Sequence, residues 1–598
     1  MLSEYTAPIA DMRCLSERLC DIGQLTSFPR YAEVTSDLVE AVLQEAGKLA
    51  SEILAPLNRV GDREGARHHA NGVTTPPGWQ DAYQKFIDGG WNGLTFATAD
   101  GGQDLPKVLA TAVSEMWNTA NLSFALGPML TAGAAEAIEH HGSPTQRALF
   151  LEKLVTGAWT GTMNLTEPQA GSDLSTVRTR ATPEGAHYRI VGQKIFITYG
   201  EHDLTENIVH LVLARLPDAP AGTRGISLFI VPKILVNADG SLGARNDVRC
   251  ASLEHKLGIH GSPTAVMVYG EAGGAIGYLI GAPNRGLEYM FTMMNNARHA
   301  VGLEGVAIGE AAYQKALRFA RERVQGKPLG FQGQVTPSII EHADVKRMLM
   351  TMRANVDAMR ALAYVCAMAF DLGREHPEAA TRDYFRRRGD LLTPIVKGWC
   401  TETGQELASL GIQVHGGMGF IEETGAAQIF RDARITTIYE GTTGIQAQDL
   451  VGRKTLRDGG TAMHELIAEM KADLARIPRG DDPRLATIAH EFDAAVAALT
   501  TALEWLLPNQ APDPQLVAAA SVHFLTLAGI VTGGWQLARA ATLCAEDKQA
   551  QRGDADFAMR TMASALFFAT QVLPRAPGLA RTIVVGSAAV LATPSSAL

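Results

Sequence analysis

A chain of 598 residues and 63.9 kDa is too long for one hydrophobic core, so two to four domains and room for a deep site are expected. Its formal charge of -10 arises from 53 basic and 63 acidic residues spread along the whole length, with no basic tail or stripe, which argues against a nucleic-acid footprint. Six scattered cysteines (Cys14, Cys20, Cys250, Cys366, Cys400, Cys544) show neither CxxC spacing nor a His-Cys cluster, so no metal site is expected and a reducing, cytoplasmic setting fits best.

The opening stretch "MLSEYTAPIADMRC" has early acids and no basic region followed by an apolar one, so no secretory signal is expected. Residues 33–57 place Val, Leu, Ala and Ile at three-to-four spacing, the mark of an amphipathic helix. Similar patterns over 78–89, 102–119, 125–139 and 145–154 predict a helical region covering residues 1–158.

After Trp159 the texture changes. "YRIVGQKIFITYG", "NIVHLVLARLP", "GISLFIVPK" and "AVMVYGEAGGAIGYLIG" are short runs rich in Val, Ile, Tyr and Phe between Gly, Pro, Asn and Asp, which predicts a β-domain over 159–280. Helical periodicity returns from residue 286, recurs over 339–373 and 384–410, and predicts a four-helix bundle within 281–452. A further helical region, 453–598, carries no evident motif. Its apolar stretch "HFLTLAGIVTGGWQLARAATL" reads as a core helix, so membrane insertion is not expected, and surface association stays open.

Two polar clusters stand out. In "GTMNLTEPQAGSDLSTVRTR" (161–180), Thr166, Gln169, Gly171, Ser172 and Asp173 describe a turn with backbone N–H groups free to meet a ligand, or simply a surface loop. The following "GQKIFITYG" sets Phe196 and Thr198 two apart on a strand, an arrangement that suits a flat heteroaromatic ring and equally suits ordinary packing. The second cluster runs from 406 to 446. Its "HGGMG" is too glycine-rich to continue a helix, and neither it nor "AGGAIG" has the strand-turn-helix setting of a dinucleotide fingerprint. Arg431, Asp432 and Arg434 suggest a helix-end ion pair. Glu440, before Gly441 and two threonines, suits a helix N-terminal acid held by backbone amides.

Taken in order, "NLTEPQAGSD", "EHKLGIHGSPT", "RFARERVQGK", "QVHGGMGF" and "RDARITTIYEGTTGIQ" resemble the acyl-CoA dehydrogenase family over most of residues 35–450. The length and "ITYGEHDLTENIVHLVLARLP" resemble its extended bacterial branch, which includes 3-methylmercaptopropionyl-CoA and long-chain acyl-CoA dehydrogenases. The resemblance implies an α+β fold: N-terminal helical domain, middle β-domain, C-terminal four-helix bundle, and here an additional helical region. It implies FAD as cofactor, an acyl-CoA substrate, electron-transfer flavoprotein as acceptor, and a homodimer in which FAD is shared.

By that resemblance Glu440 is the base that takes the α-proton of the thioester. The alternative base position, before Arg298 in "MMNNARHAVG", holds Ala297. The cofactor contacts implied are Met163, Leu165, Thr166, Phe196, Thr198, Arg323, Gln413, Gly416, Gly417 and Thr442; the substrate contacts are Ser172, Arg298, Tyr439 and Gly441. Three departures from the family pattern concern the cofactor: "ERVQGK" is one residue short and lacks a Phe, Gly444 replaces a glutamine, and Phe196 stands where many relatives carry Trp. The implied reaction is dehydrogenation of 3-methylthiopropanoyl-CoA or a short-to-medium acyl-CoA to the trans-2-enoyl-CoA. The alternatives are a long-chain substrate, an oxidase of the same fold, and a non-catalytic FAD-binding assembly protein.

Overall fold

The computed structural model of the chain describes residues 5–480 and 482–597. The reading of the N-terminus rests partly on Met1–Glu4, which lie outside the described residues. The helices before the sheet are α1 (Ile9–Cys14), α2 (Ser36–Lys48), α3 (Ala55–Glu64), α4 (Trp79–Asp88), α5 (Lys107–His141) and α6 (Pro144–Val155). The two patterns expected at 102–119 and 125–139 join in α5, which is broken at Asn121, where φ is -159° and ψ is 87°. That side chain caps the second half, its Oδ1 accepting from the Phe124 N–H at 3.1 Å. The start of α6 carries a capping box between Ser143 and Gln146 and a proline at its first turn.

A short hairpin, β1 (Arg67–His69) with β2 (Gly72–Thr74), precedes the main sheet. That sheet contains β3 (Thr160–Asn164), β4 (Arg180–Glu184), β5 (His187–Thr198), β6 (Ile208–Arg215) and β7 (Ile226–Pro232). After the small pair β8 (Ile234–Val236) and β9 (Leu242–Arg245) it resumes with β10 (Val248–Leu253), β11 (Thr264–Tyr269) and β12 (Ala275–Leu279). Its order is β10-β11-β5-β12-β7-β6-β3, with β4 joining β5 and β6. Both β6 and β7 are apolar and buried almost throughout, as strands covered on both faces must be.

Beyond the sheet come α7 (Gly286–Glu322), α8 (Ala343–Glu375), α9 (Ala379–His415), α10 (Ala426–Ala433) and α11 (Thr443–Gln448). Three of the expected bundle helices are long; the fourth is short, α11 continued by a π-helical turn over Asp449–Leu456. The terminal helices are α12 (Thr461–Arg476), α13 (Pro483–Asn509), α14 (Pro514–Gln549), α15 (Ala555–Gln571), α16 (Ala576–Arg581) and α17 (Ser587–Ala592).

The chain forms two compact units. One takes Lys48–Pro106 and Ala120–Ala297; its core joins the second half of α5 and α6 to one face of the sheet through Leu130, Ile138, Phe150, Leu154, Leu211 and Leu228. The other takes Tyr5–Gly47, Lys107–Thr119 and Arg298–Leu598. In its interior Arg360 is wholly buried between Glu115 and Glu310, at 2.6 and 2.8 Å. A charge so placed persists only when its donors are matched, and the pairing carboxylates do this.

Among the described residues one helix, α14, is long and apolar enough to cross a membrane, and 67% of its apolar window is buried. That burial has a local cause: Gly529 and Gly533 leave a groove that Trp399 of α9 fills, and Gly398 admits Leu525 in return.

Candidate active site

In the second unit the segment between α10 and α11 turns back on itself. Glu440 has φ +51° and Gly441 φ +91°, two successive residues in the left-handed region, where a non-glycine residue is strained. Buried polar groups hold this turn. The Lys397 ammonium donates to the Thr436 carbonyl at 2.9 Å and the Gly441 carbonyl at 2.7 Å, while Gln446 Nε2 donates to the carbonyl of Glu440 at 3.1 Å. A Cβ on Gly441 would lie 2.7 Å from that same amide nitrogen, so position 441 requires glycine twice over. Thr442 caps α11, its hydroxyl accepting from the Ile445 N–H.

Glu440 is half-buried, and burial raises its carboxyl above the usual carboxylate range against the opposing pull of Arg298 and Lys397. Arg298 itself is buried, and its Nη1 donates to Asp449 at 2.8 Å. Burial pushes Lys397 down to about 8, even with Glu304 and Glu440 nearby. Tyr439 donates its hydroxyl to Glu304, an acid wholly buried on α7, and burial pushes that acid up to about 8. Glycines set this depth: Cβ atoms at Gly302 and Gly305 would collide with the α9 backbone at Val396 and Cys400, so α7 and α9 pack backbone to backbone around Glu304.

Elsewhere in that unit, α9 ends at His415 and Gly416 reverses the chain with φ +59°. Both Gly416 and Gly417 are exposed, and nothing lies within 4 Å of where a Cβ would stand on either. Gln413, Glu402 and Thr443 line a cavity of about 750 Å³ between α8, α9, α14 and the turn at Arg575. Arg323 is exposed, with Gln325 as a hydrogen-bond partner at 3.2 Å. Near the ion pair expected at Asp432, Arg431 meets Glu422 at 2.9 Å and Gln428 Nε2 donates to Asp432 at 3.3 Å.

In the first unit Met163 is buried in β3, and half-buried Leu165 and Thr166 follow it. Beside them β5 bulges opposite Ala265 and Met267; there Phe196, at φ +60°, is 59% exposed and Thr198 half-buried. The Ile195 N–H donates to the Thr166 carbonyl at 3.0 Å, which sets Leu165 and Thr166 beside the strand end that carries Phe196 and Thr198. The scaffold beneath is an ion pair that the sequence motifs did not single out. Lys194 donates to Glu167 at 2.8 Å and to the Leu165 carbonyl at 3.0 Å, and Glu167 also receives the N–H groups of Arg178 and Thr179. Burial would raise Glu167, but Lys194 and the hydrogen bonds bring it down to about 2. Ser172 lies exposed on the loop that this carboxylate organises.

Within the second unit, the structure brings Glu440, Tyr439, Gly441, Thr442 and Arg298 into one neighbourhood, and places Gln413, Gly416 and Gly417 around the end of α9. Sequence reasoning missed Glu304, Lys397 and Gln446. The available signal was a single charged residue inside an apolar helical pattern, in "HAVGLEGVAIG" and "LLTPIVKGWC". Among the described residues no cluster of His, Cys, Asp or Glu could hold a metal ion.

A helical region, a mixed sheet, a helical bundle and a clamped, strained glutamate define a chain of the acyl-CoA dehydrogenase family, to which this protein belongs. Family models match residues 37–158 (acyl-CoA dehydrogenase, N-terminal domain), 162–271 (middle domain), 284–455 (C-terminal domain) and 466–594 (acetyl-CoA dehydrogenase C-terminal like). The chain is 50% identical over 570 residues to 3-methylmercaptopropionyl-CoA dehydrogenase of Ruegeria pomeroyi, covering 95% of this chain and 96% of that one. It is 34% identical to a butyryl-CoA dehydrogenase of Syntrophomonas wolfei, over 99% of both chains. An acyl-CoA dehydrogenase of Bacillus anthracis complexed with FAD shares its fold, with TM-score 0.73 and 18% identity, over 94% of this chain and 90% of that one. The protein is an FAD-dependent acyl-CoA dehydrogenase.

Proposed function

We propose that the chain dehydrogenates 3-methylthiopropanoyl-CoA to its trans-2-enoyl thioester, with Glu440 as the base, and passes the electrons to an electron-transfer flavoprotein. The observation that carries this is the clamped turn at Glu440. An α C–H beside a thioester is a very weak acid, so the acceptor must be poorly solvated and already in place. Lys397 and Gln446 hold the backbone of this turn, and burial raises the carboxyl above its ordinary range, which makes it a stronger base. Holding the turn in advance spares the ordering cost when the substrate arrives. The Glu440 N–H is the donor assigned to the thioester carbonyl, where negative charge grows during proton loss.

FAD supplies the hydride acceptor. The open group of Phe196, Thr198, Leu165 and Thr166 fits the ring, and the uncovered Gly416 and Gly417 with Gln413 fit the close approach of a phosphate or adenosine. Arg323 is the cation assigned to the pyrophosphate. The substrate assignment rests on the 50% identical relative, a 3-methylmercaptopropionyl-CoA dehydrogenase. A homodimer in a cytoplasmic setting completes the reading. The association is supported by apolar side chains left exposed around the same glycines, Met418 at 50% and Phe420 at 84%.

The test is anaerobic titration with 3-methylthiopropanoyl-CoA. The flavin absorbance should bleach, then return faster with electron-transfer flavoprotein than with oxygen. Faster return with oxygen identifies an oxidase, and no bleaching rejects the substrate. In Glu440→Gln the yellow flavin and thioester binding should persist while turnover falls by about three or more orders of magnitude; full activity in that variant removes Glu440 from the mechanism.

A further inference from the structure

Glu304 is placed oddly for a structural acid. It lies on one helical face between Val301 and Ile308, wholly buried, on a helix packed backbone to backbone against α9. One carboxyl oxygen, Oε2, accepts from the Tyr439 hydroxyl. The other, Oε1, is buried and meets no hydrogen-bond partner among the described residues. The titratable groups facing it are Tyr439, Glu440 and Lys397. Burial comes first and pushes its acid up to about 8, so at neutral pH the side chain keeps its proton. A buried acid with one oxygen tied to a tyrosine and the other idle lacks a partner that a ligand can supply.

Its position indicates which ligand. Tyr439 is covalently next to Glu440, and the Glu440 carboxylate is among the charges acting on Glu304, so Glu304 is anchored in the neighbourhood of the assigned base. This step rests on the reading of Glu440 as base. In a 3-methylthiopropanoyl thioester a single carbon separates the sulfur from that α-carbon. We propose that Glu304 is a specificity-determining residue whose free oxygen donates a hydrogen bond to a heteroatom in the acyl tail, selecting a thioether over an all-carbon tail of equal length. A thioether is a weak acceptor, so the preference is modest, about tenfold.

The experiment compares kcat/KM for 3-methylthiopropanoyl-CoA and pentanoyl-CoA, which exchanges the sulfur for a methylene, using the FAD-loaded full chain. Wild type should favour the thioether by about tenfold. Glu304→Gln, which keeps an N–H donor, should retain most of that ratio, and Glu304→Leu should bring it close to one. A ratio unchanged in Glu304→Leu, including an equal loss on both substrates, overturns the assignment. Should the leucine variant fail to bind FAD, the wild-type ratio measured against pH decides. It should fall as pH rises through about 8, where Glu304 ionises and can no longer donate. Lys397 titrates near the same pH, so Glu304→Gln is the control, and its ratio should stay level. A wild-type ratio that is level across that range overturns the assignment. Bleaching of the wild-type flavin by neither thioester defeats the underlying reading and this one with it; bleaching by both with an unmoved ratio defeats the Glu304 assignment alone.

Discussion

Glu440 sits at φ +51°, a backbone state that costs a non-glycine residue about 1–3 kcal/mol and persists only where the surroundings over-determine it. Here Lys397 and Gln446 do so from α9 and α11, by hydrogen bonds to carbonyls on either side of the turn. Because burial raises this carboxyl, it still carries a proton at pH values where an ordinary glutamate is ionised, and a protonated acid cannot accept the α-proton. The kcat/KM profile should therefore rise with pH, with its midpoint above the 4.5 of an ordinary glutamate, and a limb at or below that value would contradict the desolvated base. Glu304 gives a stability signature of its own. The folded chain keeps this proton to about 8 and the unfolded chain releases it near 4.5, so folded protein binds more protons between those limits. Stability contributed by this group falls as pH rises through that window. In Glu304→Gln the fall is absent, so its melting temperature relative to wild type should climb between about pH 5 and about pH 9.

At the level of elements, close approach explains how the buried groups reach one another. Gly302 and Gly305 bring α7 onto the α9 backbone and so carry Glu304 inward, while Gly529 and Gly533 seat α14 on Trp399. A Cβ on Gly529 would lie 2.2 Å from the indole ring, whose own position is fixed by packing on α9. Gly529→Ala should therefore destabilise the chain by about 1–3 kcal/mol through overpacking, read as a lower denaturant midpoint with FAD chemistry intact in whatever remains folded. An unchanged midpoint would show that α14 can shift without cost. The N-terminal residues are tied to the same extension by ions: Arg18 meets Asp547 at 2.5 Å and Asp11 accepts from Arg560 at 2.6 Å, while Arg353 of α8 holds the other Asp11 oxygen at 2.5 Å. The terminal helices are thus clasped by a segment more than five hundred residues away in the chain.

For the whole molecule, the homodimer reading predicts a mass near twice 63.9 kDa by light scattering, with flavin lost on dilution as subunits part. A monomer that retains FAD would reject it. The architecture of helices, then strands, then helices was legible in the order of periodicities, because the 3.6 and 2.0 repeats of buried residues are local properties of the chain. The family motifs were legible for a related reason: a turn that needs glycine or a hydroxyl cap at a fixed offset writes that need into consecutive letters, as "IYEGTT" does. The supporting shell was not legible. Lys397 lies 43 positions before Glu440 and Glu304 lies 136 before it, and both sit in helices whose composition otherwise reads as core. Sequence by itself determined the class of fold and, through the family motifs, the cofactor; only tertiary packing decided that a lysine clamps the turn at Glu440 and that an acid is buried with one oxygen idle. The reason is physical: desolvation and hydrogen-bond partnership depend on what folds over a side chain, and that information is distributed among residues remote from it.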